Sequence, residues 1–398
     1  MDDLIFLVHR IPYPPNKGDK IRSWHILKHL SVRYRVHLGC FVDDDEDWAH
    51  TGVLEELCAS TCIVGQARWR GHFKAVGAMI SNEPLSVAYY RDRRMRRWVA
   101  ETVRDKNPAA ALLFSSQMAV YLPELRPGTL RVVMDFVDVD SDKWAQYAAA
   151  KSGPVKLLYQ REARRVAEFE AMVASIVDAS LFVSEREADL FRSLVPKAAA
   201  KTHALTNGVD ADVFSPEQPF DCPFEDDEKA IVFTGAMDYW PNVDAVVWFA
   251  DHVLARLRAT CPEAVFYIVG FKPVPEVQAL GDRDGVVVTG AVPDTKNYLA
   301  HADCVVAPVR IARGIQNKVL EGMSMAKPVI ASPQAAEGLD RIKGAEIAVI
   351  EDASDMADAI IEILKGGEGP DGLAARARVI ADYGWDANLQ VLDRLLEG

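Results

Sequence analysis

The sequence predicts an α/β protein of two domains, each built on a parallel sheet. Three observations carry that expectation. The chain has 398 residues, more than one ordinary core organises. Short unbroken apolar runs recur in both halves, at Leu4–Val8, Ala109–Phe114, Ala230–Thr234, Val265–Gly270 and Cys304–Ala307. Such runs lack the alternation of a half-wet strand and fit strands covered on both faces. Between the halves, residues 215–229 hold three prolines and a cluster of acids and read as a linker. Two Rossmann-like β/α/β domains are therefore expected, at residues 1–214 and 230–380.

Composition narrows the function. Apolar residues at 49% and charged residues at 26% describe a soluble globular protein. There is no run of 18 apolar residues, and the start MDDLIFLVHR lacks the basic-then-apolar order of a signal peptide. A cytoplasmic protein is expected. A net charge of −13 argues against a general nucleic-acid binder, which needs clustered cations. The six cysteines, at 40, 58, 62, 222, 261 and 304, show no zinc-site spacing and read as reduced thiols.

In the first half, the strand Leu4–Val8 runs into a proline-rich loop, Arg10–Arg22, with a helix expected from about Ser23 to Leu30. Gly18 allows close backbone approach to a ligand, and Lys17, Lys20 and Arg22 add cations beside it. Arg35–Val42 reads as a strand and the acidic run Asp43–Asp47 as a solvated loop. Between Arg68 and Trp98 the charge reverses, with eight Lys/Arg against Glu83 and Asp92 and five interleaved aromatics. That surface suits either anionic headgroups or a pair of solvated amphipathic helices. The strand Leu130–Met134 delivers Asp135, Asp138 and Asp140 to its C-terminal end, where open sheets place ligand chemistry. Asp138-Val-Asp140 resembles a metal-binding Asp-x-Asp, a pairing common by chance, and no metal is expected. A charged helix over about Val155–Val177 and a strand Ala179–Val183 follow.

The second half opens with Ala230–Thr234 and a loop from Gly235 to Pro241 before a helix. Its centre is Ala302–Ser332, which reads strand, glycine turn, helix, strand. Gly314 marks the turn, Asn317–Met325 repeats apolar residues at helical spacing, and Lys327-Pro328 stops the helix. Backbone N–H groups at such a helix start form an anion site. Glu321, one turn in, offers a carboxylate to vicinal ribose hydroxyls.

This stretch, G-x-x-x-K-x-x-E followed by G-M-x-M-x-K-P-V, resembles the donor signature of the retaining GT-B glycosyltransferases of family 4. With PPNKGDKIR, DFVDVDSDKW, TNGVD, FTGAMDYWPN and RGIQNKVLEGM, the pattern is most similar to bacterial sugar transferases of exopolysaccharide and exosortase (PEP-CTERM) loci. The resemblance implies two domains facing each other across a cleft, with residues 381–398 returning to the first. It implies a nucleotide-diphosphate sugar as donor and no metal cofactor. Donor contacts would fall on Gly18, Lys20 and Arg22 in the first domain. In the second they would fall on Gly235, Asn242, Val292, Gly314, Ile315, Gln316, Asn317, Lys318 and Glu321. Asp138, Arg313 and Lys318 are expected as the catalytic residues. Lys318 would face the diphosphate, Arg313 would add charge there without inheriting the family glutamate's role, and Asp138 is the nearest polar substitute for the family's histidine.

The chain departs from the family at three places. A first glutamate is replaced by Arg313, a histidine position falls on Val137, and two basic loop positions fall on Met237 and Asn242. The implied reaction moves a hexose, with retention, to a polyprenyl-diphosphate-linked saccharide at the inner face of the cytoplasmic membrane. A sugar-nucleotide epimerase of the same fold and a catalytically silent scaffold stay open.

Overall fold

The computed structural model describes the chain except residues 16, 67–82, 126–129, 150, 312–315, 338, 340–345 and 398. It divides into two compact units, residues 1–206 with 389–398, and residues 207–388. The expected linker, residues 215–229, falls in the second unit, where Phe220 and Phe224 pack against the core.

The first unit holds a seven-stranded parallel sheet. Its strands are β1 (Asp3–Val8), β2 (Arg35–Val42), β3 (Ser60–Gly65), β4 (Ala110–Phe114), β5 (Arg131–Val137), β6 (Ala179–Phe182) and β7 (Thr202–Ala204). They lie in the order β3-β2-β1-β4-β5-β6-β7. Every residue of β1 and β4 is buried, as their unbroken apolar runs require. The helices that position side chains of interest are α1 (Gly18–Arg33), α2 (Arg93–Lys106), α3 (Asp140–Ala149), α4 (Gly153–Ile176) and α5 (Glu185–Leu194). Two differ from expectation. Helix α1 begins at Gly18, five residues before the expected start, because no capping side chain marks its N-terminus. Helix α3 occupies a stretch for which the sequence predicts no element, and it packs along α4.

The second unit holds a six-stranded parallel sheet. Its strands are β8 (Lys229–Thr234), β9 (Ala264–Val269), β10 (Val286–Gly290), β11 (Cys304–Ala307), β12 (Val329–Ala331) and β13 (Ala348–Val349). Their order is β10-β9-β8-β11-β12-β13. Helix α6 (Trp240–His252) follows β8, and α7 (Asn317–Ser324) links β11 to β12. Val319, Leu320 and Met323 of α7 are fully buried, as their spacing predicts. Helices α8 (Ala353–Leu364), α9 (Gly372–Tyr383) and α10 (Trp385–Glu397) complete the chain. From Leu389 onward α10 counts with the first unit, where Asp393 Oδ1 lies 2.7 Å from His29 Nε2.

Strand order reverses between β1 and β4 in one sheet and between β8 and β11 in the other. Loops leaving the C-terminal ends of strands diverge at such a point and open a crevice.

Candidate functional site

In the second unit the crevice gathers Gly235, Asn242, Lys318 and Glu321. Asn242 sits in the first turn of α6 and is 5% exposed. Its Nδ2 donates to the carbonyl of Ala236 at 2.9 Å, and its Oδ1 accepts from Lys318 Nζ at 2.8 Å. Expected as a donor contact, Asn242 has both ends of its amide engaged, so it positions the lysine. Gly235 is required for that arrangement, because a Cβ there would stand 2.6 Å from Asn242 Nδ2. Gly270, at φ +157°, is held as tightly, since its Cβ would meet Gly235 O.

Lys318 Nζ also lies 4.8 Å from the centre of the Phe233 ring, a cation–π contact. Burial lowers the lysine to about 8, against the opposing pull of Glu321. Burial raises Glu321 to about 7, against Lys318 and Lys296. Both side chains keep a partly accessible edge, so each is desolvated yet reachable. Lys296, four residues beyond Val292, was not singled out by the sequence reading, because nothing in its own stretch shows that it comes near Glu321. Gln316 and Asn317 lie at the start of α7, where the first N–H groups point out of the helix. Val292 lies in the loop after β10 and packs partly against the core. Arg313, Gly314 and Ile315 lie outside the described residues. Arg310, which the sequence reading did not single out, pairs bidentately with Asp244 of α6 at 2.5 and 3.0 Å.

The first unit corrects two expectations. Because α1 starts at Gly18, Lys20 and Arg22 fall on its inward face, each 1% exposed. Lys20 Nζ donates to both carboxylate oxygens of Asp47, at 2.8 and 2.7 Å. Asp47, expected in a solvated acidic loop, is buried. Arg22 Nε donates to Asp135 Oδ2 at 2.9 Å, and its Nη1 donates to the carbonyl of Leu205 at 2.7 Å. Burial raises Asp135 in spite of that arginine. Both cations, expected on a ligand, serve as interior counter-charges. Gly18 opens the helix with free space around its Cα.

Asp138 is half-buried and its Oδ2 lies 2.5 Å from Lys143 Nζ, which also reaches Asp140 Oδ1 at 3.8 Å. Asp140 accepts from Ser116 Oγ at 2.6 Å. An ammonium thus already bridges the Asp-x-Asp carboxylates. Among the described residues, no group of three or more His, Cys, Asp or Glu side chains is arranged to hold a metal. Val137, the position where the family often carries histidine, has φ +71°, a strained conformation for a β-branched residue. Its N–H donates to Asp135 Oδ1 at 3.0 Å, and its carbonyl accepts from Val183 N at 2.7 Å.

The residue that sequence reasoning missed here is His9. It follows β1 at the switch point and stacks on Phe114, the last residue of β4, at 5.8 Å and 11°. Its Nε2 stands 3.2 Å from Asp19 Oδ2, and its Nδ1 is buried without a hydrogen-bond partner. Although burial opposes it, hydrogen bonding to His9 and the charge of Arg10 hold Asp19 well below the usual carboxylate range. Arg10 in turn joins Asp19 to Asp43. No motif flags this histidine, since its place depends on strand order alone.

Residues 228–366 match the family described as Glycosyl transferases group 1. No curated protein matches the chain. Among solved structures, the chain is similar to a sucrose-phosphate synthase from Thermosynechococcus elongatus, with 16% identity and a TM-score of 0.66 over 99% of this chain and 98% of that one. It is similar to the Anabaena protein HepE, solved with UDP and glucose, at 13% identity and a TM-score of 0.62 over 99% of each. It also resembles WaaG, a glycosyltransferase involved in lipopolysaccharide biosynthesis, at 16% identity and a TM-score of 0.62 over 99% of this chain and 100% of that one. At these identities the likeness concerns the fold, which is GT-B.

Proposed function

We propose that the chain is a glycosyltransferase that takes a hexose from a nucleotide-diphosphate sugar and transfers it, with retention, to a polyprenyl-diphosphate-linked saccharide. The observation that carries the reading is the Asn242–Lys318–Glu321 constellation, at the switch point of a unit that matches the group 1 family. A diphosphate needs positive charge at close range and a ribose needs a hydroxyl acceptor. Lys318 and Glu321, one turn apart on α7, offer these in that order.

As the bond from the anomeric carbon to the phosphate oxygen breaks, charge builds on the leaving diphosphate. Lys318 and the N–H groups opening α7 meet that charge in a desolvated setting, where it counts most. The acceptor hydroxyl oxygen forms the new bond on the face the diphosphate vacates, and its proton passes to the departing phosphate. In the first unit, His9 offers an unsatisfied Nδ1 to a sugar hydroxyl, and Asp19 fixes the ring through Nε2. Asp138, tied to Lys143, shapes the same strand ends. The acceptor would place the enzyme at the cytoplasmic membrane face, in exopolysaccharide assembly.

The test is incubation with a panel of nucleotide sugars and a short-chain polyprenyl-diphosphate saccharide. Nucleoside diphosphate should appear only when acceptor is present, and the anomeric coupling constant of the product should match that of the donor. Conversion of the donor to another sugar nucleotide without acceptor would make the chain an epimerase instead.

A further inference from the structure

Helices α3 and α4 form a hairpin whose end, Tyr147 to Leu158, differs in character from the rest of the surface. Tyr147 is 55% exposed and Leu157 68%, and Val155 and Leu158 are exposed beside them. A helix end in a soluble protein normally presents polar groups, so four outward apolar side chains over three turns need a reason. The charge there is also unusual. From Lys143 to Arg161 there is no Asp or Glu, in a chain whose net charge is −13. Lys143 is held by Asp138 and Arg161 by Glu162, at the base of the hairpin. Lys151 and Lys156, near its end, have no acidic partner among the described residues. Just behind them Trp144 packs on Tyr159 at 5.2 Å and on Tyr147 at 6.0 Å, which braces the two helices.

We propose that this hairpin end docks on an anionic lipid surface, with Tyr147, Val155 and Leu157 entering the headgroup region and Lys151 and Lys156 meeting the lipid phosphates. Charge complementarity selects the occupant: apolar side chains ringed by unpaired lysines match a layer that is apolar beneath and anionic above. Of the basic surface expected over Arg68–Trp98, residues 68–82 lie outside the described residues, and the part carried by the arginine-rich α2 is differently disposed. Arg94 pairs with Asp92, Arg96 with Glu124 at 2.8 Å and Arg97 with Glu101 at 2.8 Å, so much of its charge is already answered. The inference deepens the reading of a lipid-borne acceptor by naming the surface that would reach it. Vesicle binding needs no sugar donor, so the two claims fail separately.

The experiment is flotation of the full chain with phosphatidylcholine vesicles, with and without phosphatidylglycerol. The parent should float only with the anionic lipid and release as salt rises. Lys151→Gln with Lys156→Gln should weaken binding about twenty-five-fold, at roughly fivefold per lysine. Val155→Ser with Leu157→Ser should weaken it several-fold. Both pairs are surface changes and should leave nucleotide-sugar affinity as in the parent, which controls for folding. Replacing Arg93, Arg94, Arg96 and Arg97 by Gln should cost less than the lysine pair. Binding that survives both hairpin variants, or that only the arginine variant removes, overturns the proposal. So does a parent that ignores anionic vesicles but forms a dimer broken by Leu157→Ser, which would make the tip a self-association surface.

Discussion

Lys318 and Glu321 carry opposite charges that burial discourages, and the proposed donor-binding role then predicts a pH window. Burial lowers Lys318 to about 8 and raises Glu321 to about 7. A diphosphate binds the lysine in its ammonium form, so affinity should fall as pH rises through about 8. A ribose binds the glutamate in its carboxylate form, so affinity should fall as pH drops through about 7. Calorimetric titration of a nucleotide sugar should therefore give the tightest binding between the two values, weakening about tenfold per pH unit on either side. Lys318→Gln should flatten the alkaline limb and Glu321→Gln the acid limb; a profile flat in the parent would contradict both roles. His9→Ala should lower transfer rate about twofold to tenfold, the worth of one hydrogen bond. Donor affinity should stay unchanged, and an unchanged rate would remove His9 from the acceptor side. The placement of Lys318 and Glu321 one turn apart on α7 was legible because one helix carries both at fixed spacing. The Lys20–Asp47 pair was not, because its partners lie 27 residues apart and meet only through the packing of α1.

At the scale of elements, unbroken apolar runs bounded by turn residues located the strands at the core of each sheet, because a strand buried on both faces shows no alternation. Helix starts were less legible. Lys17 makes no side-chain cap at α1, so nothing local announced that Arg22 would turn inward to Asp135. Breaking a buried ion pair on one side strands a charge and costs about 3–5 kcal/mol, whereas removing both charges can be near neutral. Arg22→Met should therefore destabilise strongly in denaturant melts, and Arg22→Met with Asp135→Leu should recover much of the loss. If Arg22→Met left stability intact but weakened donor binding, the residue would be a ligand cation after all. In the second unit, Gly235→Ala should push Asn242 off Lys318 and weaken donor binding several-fold, measured by the same titration. Asn242→Ala should do the same, and wild-type affinity in both would leave the asparagine without a positioning role.

Over the whole molecule, two parallel-sheet domains were foreseeable from length and strand pattern, whereas the boundary between units falls after Thr206 and not in the proline-rich stretch. The proline-rich stretch at 215–229 looked like a connector, yet its aromatics Phe220 and Phe224 pack on the second core. Composition sees the prolines, and only packing assigns the phenylalanines. The surface told a similar story, since the sequence displays the arginine cluster with Asp92 beside it but not that Glu124, 28 residues on, pairs with Arg96. The central claim is that the second unit holds a nucleotide-diphosphate sugar through Lys318 and Glu321. Its most direct test is calorimetric titration of the full chain with a panel of nucleotide sugars, in chelator, beside Lys318→Ala and Glu321→Ala. One donor should bind without added metal, and each substitution should weaken it about tenfold to a hundredfold, the worth of a charge-assisted hydrogen bond. Binding equal to the parent in both variants, or no binding of any nucleotide sugar, would contradict the account.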